Sequence, residues 1–136
     1  MRTQAPALAT LLFAASAAGM AHAAPYVAEG CQLNAPADWT ASKTRIARAD
    51  KKMWASLLQA STAAEAITLE KGLGATLVSD GPGLTVLVTS VSYGGLTNKQ
   101  FHAISKTTPS CVADVTAPAG AEEGAALAIA KTVSKH

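Results

Sequence analysis

The sequence is poor in aromatic residues, has few cysteines and carries little net charge. Its 136 residues include two cysteines and two each of Trp, Tyr and Phe, and 11 Lys and Arg stand against 9 Asp and Glu. This near balance excludes the strong positive field expected of a nucleic-acid-binding domain. The two isolated cysteines and three histidines match none of the usual metal-ligand spacings, so we expect no metal ion and no cofactor.

The sequence also lacks an apolar run long enough to cross a membrane. Arg2 precedes an alanine-rich apolar run over residues 5–18, and an Ala-x-Ala motif ends at Ala23. This order predicts a secretory signal peptide over residues 1–23. The alternative is a retained membrane anchor, which would need about 20 apolar residues. We therefore expect a mature chain of residues 24–136, without a transmembrane anchor, in the periplasm or the secreted fraction.

The mature chain has the length of one domain and keeps both cysteines. An even number of cysteines in an exported chain predicts a disulfide between Cys31 and Cys111, and the alternative is two free thiols. Closing a loop of about 80 residues would destabilise the unfolded state by roughly 4 to 5 kcal/mol. Residues 24–36 show neither a helical nor a strand period, so we expect an irregular arm attached mainly by the disulfide.

Four segments have helical patterns. In the first, Ile46, Met53 and Leu57 recur at helical spacing with basic residues on the opposite side. The second and third each begin with a capping box, at Thr62 and at Thr97. Acidic residues near the start and lysines near the end favour the fourth. The predicted helices cover residues 40–60, 63–71, 97–105 and 121–133.

Two other stretches predict strands. The β-branched and apolar residues 76–78 and 84–89 flank the turn sequence Asp-Gly-Pro-Gly, which is typical of a hairpin. Residues 111–116 predict a third strand that ends before Pro118. Together these elements predict an α+β fold, with a small antiparallel sheet made of the hairpin and the third strand and with amphipathic helices packed on one face.

Two sets of residues are candidates for binding. Arg45, Arg48 and Lys52 would share the polar face of the first helix, where they could meet an anionic partner or form an ordinary solvated face. Lys99 and His102 would lie on the exposed side of the third helix, near Tyr93, with the same two interpretations.

One stretch resembles a catalytic motif. The segment from Ser90 to Gly94 nearly matches the Gly-x-Ser-x-Gly nucleophile elbow, with Ser92 as the nucleophile and His102 and Asp114 as possible triad partners. Ser90 replaces the first glycine of that motif, and the predicted helix does not begin at the nucleophile.

The sequence therefore favours an exported, non-enzymatic module that binds a protein or an envelope component. A small hydrolase centred on Ser92 and His102 is the alternative, and an envelope-surface binder using the basic face of the first helix is a third hypothesis. The sequence does not indicate an oligomeric state.

Overall fold

The computed structural model describes residues 25–136, and the predicted signal peptide lies outside this range. Strands contain 47% of these residues and helices 16%. In chain order the strands are β1 (Tyr26–Ala28), β2 (Cys31–Leu33), β3 (Thr40–Ala41), β4 (Ile46–Ala47), β5 (Trp54–Ala60), β6 (Thr76–Asp80), β7 (Leu84–Tyr93), β8 (Leu96–Ser105), β9 (Ser110–Pro118) and β10 (Ser134–Lys135). The helices are α1 (Ala63–Gly72) and α2 (Glu123–Ala130). Neither has the length and apolarity needed to span a membrane.

The strands form two antiparallel sheets. The large sheet has seven strands in the order β3-β4-β5-β9-β8-β7-β6, and the small sheet has the order β1-β2-β10. The predicted fold, in which helices pack on a small sheet of a hairpin and a third strand, is therefore wrong. The difference arises at two segments predicted as helices that instead supply strands of the large sheet.

The first of these segments is residues 40–60, which contain β3, β4 and β5 rather than a helix. All seven residues of β5 pair with β9, from Trp54 opposite Thr116 to Ala60 opposite Ser110. Ala55 and Leu57 are buried on one face of this strand. A distant strand thus satisfies the backbone of β5 and overrides the helical spacing of its apolar residues.

The second is residues 97–105, which lie in β8, an inner strand of the large sheet. This strand pairs with β7 on one side and with β9 on the other. Phe101 and Ala103 are buried on one face, while His102 and Ile104 are buried on the other. Because both faces are covered at this end of β8, the alternation of polar and apolar residues from Gln100 to Ala103 does not continue to Ile104.

The other predicted helices and strands are present in the structure. Helix α1 begins at the predicted capping box, where the Thr62 hydroxyl accepts a hydrogen bond from the Glu65 amide at 3.1 Å. The predicted hairpin is formed by β6 and β7, the third strand is β9, and the tail helix is α2. The N-terminal arm is not irregular throughout, because it contains β1 and β2.

The predicted disulfide between Cys31 and Cys111 is confirmed, and it joins β2 of the small sheet to β9 of the large one. On this face of the large sheet, which we call the α2 face, Leu33 of the small sheet and Ala126 of α2 share one buried cluster with Val115. Both cysteines are fully buried in that cluster. The disulfide therefore lies inside the main core.

The opposite face of the large sheet, the α1 face, has a smaller core. Ala66 of α1 packs there with Leu87 of β7, Ile104 of β8 and Val112 of β9. Helix α1 covers only this end of the face. Further along the same strands the α1 face carries polar side chains, and towards the tip of the β7–β8 hairpin it becomes exposed, as at Val91 and Tyr93.

Candidate functional site

Polar side chains lie side by side on β7, β8 and β9, at the part of the α1 face that α1 no longer covers. His102 pairs with Asp114 in one cross-strand row. In the next row, Gln100 lies between Thr89 and Thr116. Polar groups at the centre of a sheet are costly unless they are hydrogen-bonded, so their partners matter. They fall into two groups, which we call the His102 cluster and the Trp54 cleft.

The His102 cluster consists of Glu70, Thr89, His102 and Asp114. His102 is only 3% exposed, and both of its ring nitrogens have partners. Nε2 lies 2.9 Å from the Thr89 hydroxyl, and Nδ1 lies 2.7 Å from Asp114 Oδ1. Glu70 reaches down from α1 and brings its Oε2 to 3.7 Å from the same Nδ1. The cluster thus joins one helix and three strands.

The electrostatics of this cluster are governed by burial and by the two carboxylates. Burial opposes the charged form of His102, but the hydrogen bond and charge of Asp114 and the charge of Glu70 outweigh it, so the pKa of His102 lies above its ordinary value. Burial, with a contribution from the charge of Asp114, raises the pKa of Glu70. Within residues 25–136, no lysine or arginine forms an ion pair with either carboxylate.

The Trp54 cleft is a cavity of about 140 Å³ lined by Trp54, Val91, Asn98, Gln100 and Thr116. It combines an indole ring, two carboxamides and a hydroxyl. Thr116 is 5% exposed, and its Oγ1 is a buried atom with no hydrogen-bond partner among the described residues. Such an unsatisfied buried hydroxyl costs about 1 to 3 kcal/mol.

A larger cavity adjoins the cleft and shares Trp54 and Asn98 with it. Its volume is about 490 Å³, and Lys51 and Lys52 also line it. On the same tryptophan, the Arg45 guanidinium lies 5.1 Å from the centre of the ring, which is within the range of a cation–π contact. Trp54 therefore stands between a polar cleft and a positively charged rim.

The basic residues predicted as a binding face do not act as one set. Arg45 and Lys52 lie near Trp54, as described above. Arg48 is instead held by two carboxylates: its Nη2 donates to Asp50 Oδ2 at 2.9 Å and to Glu122 Oε1 at 3.0 Å. These bonds lower the pKa of both acids. Arg48 thus links the turn before β5 to α2.

The structure also separates the residues predicted around His102. His102 is a buried residue of β8, so the prediction that it lies on an exposed helix side is wrong. Lys99 lies at an odd spacing from His102 in the same strand, so it belongs to the opposite face of the sheet. Tyr93 ends β7 at the tip of the hairpin and is 84% exposed.

Ser92 does not meet His102. It pairs with Thr97 and shares a hydrogen bond of 3.0 Å with that hydroxyl. The partner of His102 on β7 is Leu87, five residues earlier, which corresponds to about 17 Å along a strand. The odd spacing also puts Ser92 on the α2 face. Thr89, and not Ser92, is the hydroxyl next to the imidazole.

Sequence reasoning missed three residues of this region. The sequence predicts each of them only as part of a regular element: Glu70 in the second helix, Thr89 in a strand of the hairpin and Trp54 in the first helix. A signal for the sheet was available, since Phe101 and Ala103 alternate with Gln100 and His102 as they do in a strand. No local signal links Glu70 to β8, because the contact is made between elements.

Comparison with known proteins informs the fold only. No protein-family model matches the chain, and no curated protein matches it either. A protein of Bacteroides thetaiotaomicron VPI-5482 with a crystal structure at 1.50 Å resolution is similar, with a TM-score of 0.57 and 15% sequence identity. The match covers 85% of this chain and 49% of that one, so the present chain spans about half the length of its structural neighbour.

Proposed function

We propose that this protein is an exported, non-enzymatic binding module whose ligand site is the Trp54 cleft. The observation that carries the proposal is the buried Thr116 hydroxyl, which lacks a partner at the wall of a cavity. The predicted signal peptide and the disulfide support export to the periplasm or the secreted fraction. The ligand would then be a component of the cell envelope.

The chemistry of the cleft favours a hydroxyl-rich ligand such as an envelope glycan. The Trp54 ring offers a flat apolar surface, while Asn98, Gln100 and Thr116 offer donors and acceptors beside it. Alone the cleft is smaller than an ordinary ligand pocket, but the adjoining cavity extends it past Trp54. A short stretch of a glycan chain would fit this arrangement better than a compact cofactor.

Titration of the mature protein with oligosaccharides released from cell wall by muramidase digestion tests the proposal. Trp54→Ala should weaken binding at least ten-fold, because it removes the aromatic surface. Thr116→Val should weaken it several-fold while leaving the free protein at least as stable, since the unsatisfied hydroxyl is gone. Val27→Ala, at an exposed position of the small sheet beyond the other face of the large sheet, is the matched control. Equal affinities for all four proteins, or no binding by the wild type, would contradict the proposed ligand class.

The basic rim gives a second way to examine the ligand. Arg45 and Lys52 would attract an anionic ligand, and this attraction is screened by salt. Binding that weakens from low to high ionic strength, and less steeply in Lys52→Gln, would support a role for the rim. Affinity that is independent of salt would assign recognition to the cleft alone.

The His102 cluster supports a second candidate function, a small hydrolase. Thr89, His102 and Asp114 follow one another in the order hydroxyl, imidazole, carboxylate, with contacts of 2.9 and 2.7 Å. A threonine hydroxyl is a more hindered nucleophile than a serine. Assays with chromogenic short-chain esters decide this candidate: turnover by the wild type that is lost in Thr89→Val would support it, and equal background rates would exclude it for these substrates.

A further inference from the structure

Three side chains with metal-binding atoms converge on one point of the α1 face. Glu70 comes from α1, His102 from β8 and Asp114 from β9, and one ligand atom of each lies within 4.8 Å of the others. The shared centre is His102 Nδ1, at 2.7 Å from Asp114 Oδ1 and 3.7 Å from Glu70 Oε2. We propose that these three residues bind a divalent transition-metal ion, with Zn²⁺ as the best fit.

The charges of the cluster favour a cation. Two carboxylates face one imidazole, so the group carries a net charge of about −2 when His102 is neutral and about −1 when it is protonated. The side chains of Glu70 and Asp114 are only 15% and 16% exposed, and no basic residue of the described chain pairs with them. A divalent ion would neutralise this partly buried excess of negative charge completely.

The two distances from His102 Nδ1 require only a small adjustment. Ligand atoms around tetrahedral Zn²⁺ lie about 3.4 Å apart, given the usual Zn–N and Zn–O bond lengths. Glu70 Oε2 is already close to that separation from Nδ1. Asp114 Oδ1 would have to withdraw by roughly 0.7 Å. Rotation of its partly exposed carboxylate can supply this movement without a shift of the strand.

Thr89 gives the imidazole the orientation that a metal ligand needs. Its hydroxyl lies 2.9 Å from Nε2, so Nε2–H can donate to it, and Nδ1, once it has released the proton of its hydrogen bond to Asp114, offers its lone pair to the ion. Metal-bound histidines commonly have their second nitrogen fixed in this way. Thr89 would therefore be a positioning residue, while the three ligands leave a fourth coordination position open to water.

The ligand set restricts the kind of metal. One imidazole and two carboxylates suit Zn²⁺, Mn²⁺ or Fe²⁺, and the absence of thiolate from the set disfavours Cu⁺. Because the ligands come from a helix and two strands, the ion would also fasten α1 to the large sheet. Binding to the folded state alone would raise the melting temperature.

Metal titration of the mature protein after treatment with a chelator tests the site. Calorimetry with Zn²⁺ should give one ion per chain, and Co²⁺ should develop the visible ligand-field bands of a nitrogen and oxygen site. His102→Ala should abolish both signals, and Glu70→Gln should weaken binding more than ten-fold. Thr89→Val should weaken it by about 10- to 100-fold, as the loss of an outer partner does.

The matched control is His136→Ala, because His136 is an exposed histidine at the last position of the chain and is not part of the His102 cluster. It should bind Zn²⁺ as the wild type does. Glu70→Gln keeps the shape of a partly exposed helix residue, so it decides the test if His102→Ala fails to fold, as judged by circular dichroism. A wild type that binds no stoichiometric Zn²⁺ or Co²⁺, or a Glu70→Gln variant that binds as tightly as the wild type, would overturn the proposal.

Discussion

Loss of the disulfide should remove a large part of the free energy of unfolding. Cys31 and Cys111 are 80 positions apart, and the chain-entropy model gives about 15 cal/mol/K for a loop of that length. At 25 °C this corresponds to about 4.5 kcal/mol. A domain of ordinary stability has about 5 to 15 kcal/mol in total. The variant Cys31→Ala/Cys111→Ala should therefore lose between about a third and nearly all of its free energy of unfolding.

The assay is urea denaturation followed by circular dichroism, on the wild type and on the double variant. The reduced wild type is the control, because it loses the covalent bond and keeps both sulfur atoms in the core. Both samples should lose several kcal/mol if the effect comes from closing the loop. A loss below about 1 kcal/mol in both would refute the reasoning and would mean that the disulfide constrains the unfolded chain very little.

Three further predictions concern local features. Thr62→Ala removes the acceptor of the Glu65 amide and should cost about 1 kcal/mol in urea denaturation, and an unchanged midpoint would show that α1 does not depend on its cap. Leu87→Ala opens a cavity in the core under α1 and should cost about 2 to 5 kcal/mol by the same measurement. The pKa of Glu122 is lowered mainly by its hydrogen bond to Arg48, so the stability from this pair is present above the ordinary carboxyl pKa and is lost as the pH falls through the lowered one. The difference in melting temperature between the wild type and Arg48→Gln should accordingly shrink from pH 7 to pH 2, and a constant difference would contradict the pairing.

The two capping boxes show what the local sequence can predict and what it cannot. Thr62 caps a real helix, and its hydroxyl bonds to the amide three residues later. Thr97 has an equally good match, yet it lies in β8. The difference is in the neighbours, because β8 has a hydrogen-bonded strand on each side, whereas α1 lies over the sheet. Partners that are distant in sequence thus decide between two conformations that the local sequence allows.

The predicted helix over residues 40–60 is wrong for a related reason. Ile46, Met53 and Leu57 have helical spacing, but each is buried in the sheet structure as well. Small residues such as Ala55 let β5 pack closely on the α2 face, and alanine favours a helix only where no strand competes for its backbone. Pairing of β5 along its whole length with β9 outweighs that preference.

The candidate sites were the least accessible to sequence reasoning. The sequence pattern connects His102 and Asp114 only as partners of Ser92, which lies on the other face. Glu70 joins them because α1 crosses the sheet at this point, and Trp54 meets Thr116 only through the pairing of β5 with β9. Such contacts depend on register, and a shift of one residue would reverse the face of every side chain in a strand.

Features that depend on neighbouring residues or on the number of cysteines can be predicted without a structure. These are the cap of α1, the hairpin turn before β7, the tail helix and the disulfide. The seven strands of the large sheet, and the contact of Glu70, His102 and Asp114 on the α1 face, depend on how the chain folds as a whole. Hydrogen bonds in turns and caps form within a few residues, whereas strand pairing and the burial of charge are settled between distant segments.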